Sequence, residues 1–136
     1  MPDLESLPAA SPPRAWAKIN LAHLRHNLEL VNSHQPGDVM AILKAGAYGH
    51  GMEKIAGALE ALPSDIAPIF IGVASVIEAR RLAHAGIQTR IYLLGPSCPF
   101  ERQEIVAYGW TPCISSMDEA TDFNQIAQQM IPGDKL

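Results

Sequence analysis

The sequence predicts an α/β protein of the parallel (β/α) barrel type, carrying about the first half of a (β/α)8 barrel. Three observations lead there. Short apolar runs of strand type alternate with stretches of helical period along the whole chain. The run Ile69-Phe70-Ile71-Gly72-Val73-Ala74 is almost continuously apolar, as in a sheet covered on both faces. The connections suit only right-handed parallel crossovers. Central strands beginning near residues 39, 69, 89 and 111 make four, whereas a closed barrel takes roughly 250 residues.

In chain order, residues 1–14 hold Pro2, Pro8, Pro12 and Pro13 and read as a disordered, proline-rich leader before a domain over 15–136. Ala15 to Ile19 reads as a short strand. Asn20 is a good N-cap for a helix with Leu21, Leu24, Leu28 and Val31 on its apolar face, stopping before Pro36-Gly37. His23 and His26 lie three apart on that helix, but no acid or cysteine joins them at ligand spacing, so a solvated face is expected.

Val39 to Lys44 is the next strand. Met52, Ile55, Ala56, Leu59 and Leu62 then repeat at helical spacing up to Pro63, with Gly57 inside read as a mark of close packing. After the strand at 69–74, Ser75 and Glu78 form a Ser-x-x-Glu capping box. Its helix buries Ala79, Leu82 and Ala83 and stops at Gly86. Thr89 to Leu94 is a strand closed by Gly95-Pro96, followed by a helix from about Phe100 to Tyr108. Thr111 to Ser115 is the last strand. Ser116 and Glu119 repeat the capping box for a helix with the stripe Ala120, Phe123, Ile126, Ala127 and Met130, ending at Pro132-Gly133.

Composition excludes several functions. Apolar residues are 48% and charged residues 18%, so a folded core is expected, and the net charge of −4 offers no basic patch for nucleic acid or an anionic membrane. No apolar run approaches the ~18 residues of a membrane span. Cys98 and Cys113 are too far apart for a C-x-x-C motif and read as reduced core residues. The start of the chain has acids and prolines where a signal peptide has basic residues and an apolar core, so the cytoplasm is expected.

The chemistry concentrates in Met40 to Gly51. A strand running through Ile42-Leu43 into Lys44 delivers an amine at a sheet edge, where desolvation lowers a lysine pKa and makes it a nucleophile. Gly46, Gly49 and Gly51 let the backbone turn tightly and approach a bound group. Composition alone also allows a plainer reading, in which Lys44 lays its stem over apolar surface and the glycines only turn the chain. The order G-x-x-G-x-G is not the dinucleotide fingerprint, and no Gly-Lys-Ser/Thr follows, so this is not a P-loop.

The string Ala41-Ile42-Leu43-Lys44-Ala45-Gly46-Ala47-Tyr48-Gly49-His50-Gly51 resembles the pyridoxal-phosphate attachment motif of alanine racemases, usually A-V-x-K-A-N-A-Y-G-H-G. Ten of eleven positions agree or differ conservatively, and the departure is Gly46 where the family usually has Asn. The segments 17–28, 69–79, 91–95 and 111–116 are similar to the family's opening and to its second, third and fourth barrel strands. The family's first strand usually packs with its second domain.

The resemblance implies an isomerase that interconverts L-alanine and D-alanine for cell-wall peptidoglycan. Lys44 is implied as Schiff-base lysine of pyridoxal 5'-phosphate and as one of two catalytic bases, and Tyr48 as a hydrogen-bond partner of the cofactor phosphate. It implies a homodimer whose opposite-face tyrosine base comes from the partner's β-domain. It places two arginines, one facing the pyridine nitrogen and one the substrate carboxylate, on later strands. With those parts and the second half of the barrel outside this chain, the expectation is a fragment inactive alone. The alternatives are a half-barrel that binds pyridoxal phosphate without turnover, or a relic acting only by fragment complementation.

Overall fold

The computed structural model describes residues 15–34 and 37–130. The leader at 1–14, the helix stop at Pro36 and the ending at Pro132-Gly133 lie outside the described residues. Three parallel strands form the sheet: β1 (Met40–Ile42), β2 (Phe70–Val73) and β3 (Arg90–Leu93), in the order β1-β2-β3. Met40 pairs with Phe70 and Phe70 with Arg90, so the strands start in step. Each lies within one residue of its expected start.

The strands are continuous with the helices that cover them because side chains alternate across the sheet. Leu43, Ile71, Val73, Ile91 and Leu93 point one way and are buried. They belong to one core with Met52, Ile55, Ala56 and Leu59 of α3 (Met52–Glu60) and Val76, Ala79 and Leu82 of α4 (Val76–His84). Ile105 of α5 (Arg102–Ala107) and Phe123 of α6 (Met117–Met130) complete it. A 3-10 turn, Pro99–Glu101, leads into α5.

The opposite sheet face carries Met40, Ile42, Gly72 and Leu94. A Cβ at Gly72 would meet Ile42 Cδ1 at 2.7 Å, Met40 Sδ at 3.1 Å and Leu94 Cδ2 at 3.4 Å. Phe70 and Tyr92 meet edge to face on this side, with the Arg90 guanidinium 4.3 Å above the Phe70 ring. Its side chains are mostly half-buried. The described residues thus cover fully only the helix-bearing face, which is less than the uninterrupted apolar run at 69–74 implied.

Helix starts follow the sequence closely. Asn20 Oδ1 accepts from the Ala22 and His23 N–H groups at 3.0 and 3.3 Å, capping α1 (Leu21–His34). Of the expected apolar face of α1, Leu28 is buried and Leu24 partly so, while Leu21 and Val31 are exposed. Gly86 takes φ +80° just past α4, and Ile87 N–H reaches back to the Leu82 carbonyl, as a helix stop requires.

Two expected strands are corrected. Ala15–Ile19 forms none; Trp16 is 82% exposed, and no strand lies beside it among the described residues. An extended segment without a pairing partner leaves its backbone to water. Thr111–Ser115 contributes only one parallel bridge, Thr111 to Tyr92, closed by Leu93 N–H to Thr111 O and Thr111 N–H to Ile91 O, both 2.9 Å. The next N–H facing β3 is that of Cys113, and it makes no backbone bond there, so the ladder stops at one bridge.

Two residue readings also change. Cys98 is exposed, not core, and Cys113 is half-buried; both are free thiols. A Cβ on Gly57 would meet nothing within 4 Å beyond its own helix, so close packing is not what places a glycine there.

Candidate active site

The chain leaves β1 through Leu43, whose N–H is held by the Gly72 carbonyl at 2.8 Å. It then enters a short turn, α2 (Lys44–Tyr48), whose hand is reversed. Ala45, Gly46, Ala47 and Tyr48 have φ of 53°, 63°, 56° and 55°, and Gly49 follows at 82°. This is a left-handed helical turn. For the three non-glycine residues the conformation costs about 3–6 kcal/mol in total. Offsetting bonds run from Ala47 N–H to Leu43 O (2.7 Å), Gly49 N–H to Ala45 O (2.9 Å) and Gly51 N–H to Gly46 O (3.0 Å). The His50 N–H and Nδ1 both reach the Ala47 carbonyl, at 3.0 and 2.8 Å. A carbonyl only accepts, so the imidazole proton on that side is on Nδ1.

The turn decides where the two singled-out side chains go. Ala47 is 4% exposed and anchors the turn in the core, while Lys44 and Tyr48, one turn apart, are both exposed. Both follow directly on the C-terminal end of β1. Lys44 is therefore not desolvated by the described residues, contrary to the sequence expectation. No carboxylate pairs with it among those residues. An amine and a phenol sharing one rim can hold a carbonyl-bearing anion, the amine through carbon and the phenol through a hydrogen bond.

Two glutamates hold the surrounding loops. Glu78 sits at the third position of α4, where Ser75 Oγ accepts its N–H at 3.3 Å. Its carboxylate does not return to Ser75, as a capping box would. It accepts from Ala74 N–H at 2.8 Å and, across the gap between strands, from Gly46 N–H at 3.4 Å. Glu119 repeats the arrangement on α6. It is buried and accepts from Ser115 N–H and Oγ–H at 2.8 Å each, from Ser97 Oγ–H at 2.9 Å and from Ser97 N–H at 3.4 Å. The Ser115 backbone donor, then the Ser115 and Ser97 hydroxyls, hold its pKa down to about 2 against the opposing effect of burial.

The family Alanine racemase, N-terminal domain matches residues 19–135. This chain belongs to that family. It is 36% identical over 115 residues to alanine racemase 2 of Clostridium acetobutylicum, an alignment covering 83% of this chain and 28% of that protein. With the alanine racemase of Azoarcus sp. the identity is 40% over 101 residues, covering 74% and 27%. The fold is similar to alanine racemase of Clostridium difficile 630, with a TM-score of 0.75 at 29% identity over 82% of this chain and 29% of that one. It is also similar to the alanine racemase of Bartonella henselae with covalently bound pyridoxal phosphate (TM-score 0.70, 26% identity, 82% and 30% covered). The chain thus spans less than a third of the length of these relatives.

Within this alanine racemase N-terminal domain, several charged and aromatic side chains serve the fold. Arg80 grips Glu104 with two bonds of 2.9 and 2.7 Å, tying α4 to α5. Arg81 to Glu53 ties α4 to α3, and Arg102 to Asp122 ties α5 to α6. Tyr108 stacks on Trp110 at 4.7 Å. His23 and His26 are exposed, and no metal-binding group of three appears among the described residues. Among the described residues no helix is long and apolar enough to cross a membrane. The loop-to-loop role of Glu78 and Glu119 was missed, although both Ser-x-x-Glu signals were plain. A capping box is local by definition, and sequence alone carries no sign that a carboxylate's second oxygen meets the neighbouring loop.

Proposed function

We propose that residues 15–136 form the lysine-bearing first half of the barrel domain of an alanine racemase, and that Lys44 and Tyr48 belong to its pyridoxal-phosphate site. The observation that supports this reading is the left-handed turn, which leaves Lys44 and Tyr48 exposed just past the C-terminal end of β1. That is the end at which parallel barrels place their catalytic groups. The donor set fits the cofactor: an exposed primary amine for its aldehyde, a phenolic O–H for its phosphate, and open space around Gly49 and Gly51.

When bound, pyridoxal phosphate supplies the electron sink that lets an amino acid surrender its α-proton. Lys44 would hold the cofactor through Nζ and would be the group that takes or returns the α-proton on one face of the substrate. Tyr48 would orient the cofactor by donating from Oη to its phosphate. The turn fixes the backbone that carries both, so binding orders only their side chains. The substrate is a small amino acid, alanine by family, and the working assembly is a homodimer.

A second reading, cofactor binding without turnover, draws on the count of bases. Inversion at carbon needs proton removal on one face and delivery on the other; Lys44 serves one face, and Tyr48 is engaged with phosphate. To test the first reading, the chain is incubated with pyridoxal phosphate, reduced with borohydride and mapped by mass spectrometry. Label on Lys44 that vanishes in Lys44→Ala supports the site, and no label at Lys44 refutes it. Formation of D-alanine, assayed with and without a separately made C-terminal half, separates turnover from binding.

A further inference from the structure

The turn after Lys44 is held from outside by one carboxylate. Glu78 Oε2 is fixed on Ala74 N–H at 2.8 Å, at the end of β2, while Oε1 faces Gly46 N–H at 3.4 Å. Gly46 is the centre of the left-handed stretch, two residues from Lys44 and two from Tyr48. Glu78 itself is fixed at the start of α4 by Ser75. It is half-buried and forms no ion pair among the described residues, so its oxygens are committed to these amides.

The same contact recurs one strand pair away. Glu119, at the equivalent helix position, joins Ser115 at the end of its own strand segment to Ser97 in the loop after β3, again with a 3.4 Å contact to a backbone N–H. Two Ser-x-x-Glu helix starts therefore share one geometry: the glutamate closes its own strand end and clasps the loop of the strand before. In the Glu119 copy the clasped loop contains Ser97; in the Glu78 copy it contains the lysine-bearing turn. A charged acceptor on a backbone N–H is among the stronger hydrogen bonds available to a loop.

We propose that Glu78 is a positioning residue for Lys44: by anchoring Gly46 to the end of β2 it keeps the left-handed turn formed and Lys44 Nζ aimed over the rim. This rests on the cofactor reading above and goes beyond it, because Glu78 touches neither Lys44 nor the groups assigned to the cofactor.

The test uses Glu78→Gln in the full chain. Glutamine keeps the size and one acceptor for Ala74 N–H, but its NH2 cannot accept from Gly46. Backbone amide hydrogen exchange is measured without cofactor, together with the ratio of Lys44 to Lys54 labelling by pyridoxal phosphate and borohydride. Lys54, exposed on α3, is the internal reference. Expected are several-fold faster exchange at Gly46, as for the loss of one hydrogen bond of ordinary strength, unchanged exchange at Ile71 and Ile91, and a several-fold lower Lys44:Lys54 ratio. Glu119→Gln should leave both Gly46 exchange and the ratio as they are.

Unchanged Gly46 exchange, or equal acceleration throughout the core, overturns the proposal. So does a faster Gly46 amide with an undiminished ratio, since the clamp would then hold the turn without aiming the lysine. If the unaltered chain labels Lys44 no better than Lys54, the cofactor reading falls and takes the positioning role with it. A preference that survives Glu78→Gln sinks the positioning role alone.

Discussion

Replacing Gly46 by alanine tests the hand of the turn that carries Lys44, because the two hands predict opposite signs. Gly46 sits at φ +63°, and a Cβ there would meet nothing within 4 Å, so no steric clash enters. What remains is conformational. Alanine in the left-handed region costs about 1–2 kcal/mol. Restricting the unfolded chain returns about 0.4–1 kcal/mol. The net expectation is a loss of about 1 kcal/mol. In an ordinary right-handed turn the same change gains about 1 kcal/mol, because alanine is the better helix former. Urea denaturation separates the two cases: at a slope of ~2 kcal/mol/M the midpoint should fall by about 0.5 M. Gly46→Asn, which restores the family's usual residue, should cost less than Gly46→Ala, since asparagine tolerates positive φ. A midpoint that holds or rises in Gly46→Ala refutes the left-handed assignment and the presentation of Lys44 built on it.

Leu82→Ala removes a fully buried side chain from the interface of α4 with the sheet; it should destabilise the chain by about 2–5 kcal/mol in the same assay, and a loss under about 1 kcal/mol would mean that the core is not packed as described. Glu119→Gln should make stability less dependent on acid. The folded pKa of Glu119 is about 2, below the ordinary value of about 4.3, so its contribution is complete above roughly pH 5 and fades as pH falls toward the folded value. The stability gap between the unaltered chain and the variant should therefore be flat from pH 7 to 5 and narrow below, and a gap that stays constant down to pH 2.5 contradicts the buried serine cradle. Glu53→Gln cuts the exposed pair with Arg81 and should change stability by no more than about 1 kcal/mol, less at high salt; a larger, salt-independent loss would show that α3 and α4 depend on it.

Much of the fold could be read from the sequence because its signals are local. Asn20, Ser75 and Gly86 each act through neighbours within a few residues, and each does in the structure what its chemistry favours. The failures are of a different kind. Ala15–Ile19 has strand composition, but a strand is a relation between two segments, and its partner is not among the residues described. Thr111–Ser115 has the same composition, yet its pairing with β3 stops after the Thr111–Tyr92 bridge, which periodicity does not register. Lys44 was legible as a residue at a strand end. The left-handed path beyond it was not: Ala45, Ala47 and Tyr48 rarely adopt positive φ, and the glycines among them suggested only a tight turn.

That path explains why the rim is tied so thoroughly. A turn of the wrong hand through two alanines and a tyrosine is stable only if its surroundings over-determine it. Here they do so from three sides: Ala47 is sunk in the core, the Leu43 and Ala47 carbonyls are capped by the turn and His50, and Glu78 reaches across from α4. The belt of ion pairs from α3 to α6 lies elsewhere, on the helices, and its more exposed pairs, Arg80–Glu104 and Arg81–Glu53, each carry little energy alone. Core packing therefore holds the helices to the sheet, while directed bonds to backbone amides hold the loops. Loosening a helix pair should leave the lysine where it is; cutting the bond to Gly46 should move it. The strained turn and the carboxylate that clasps it form one device, and Lys44 owes its place to both.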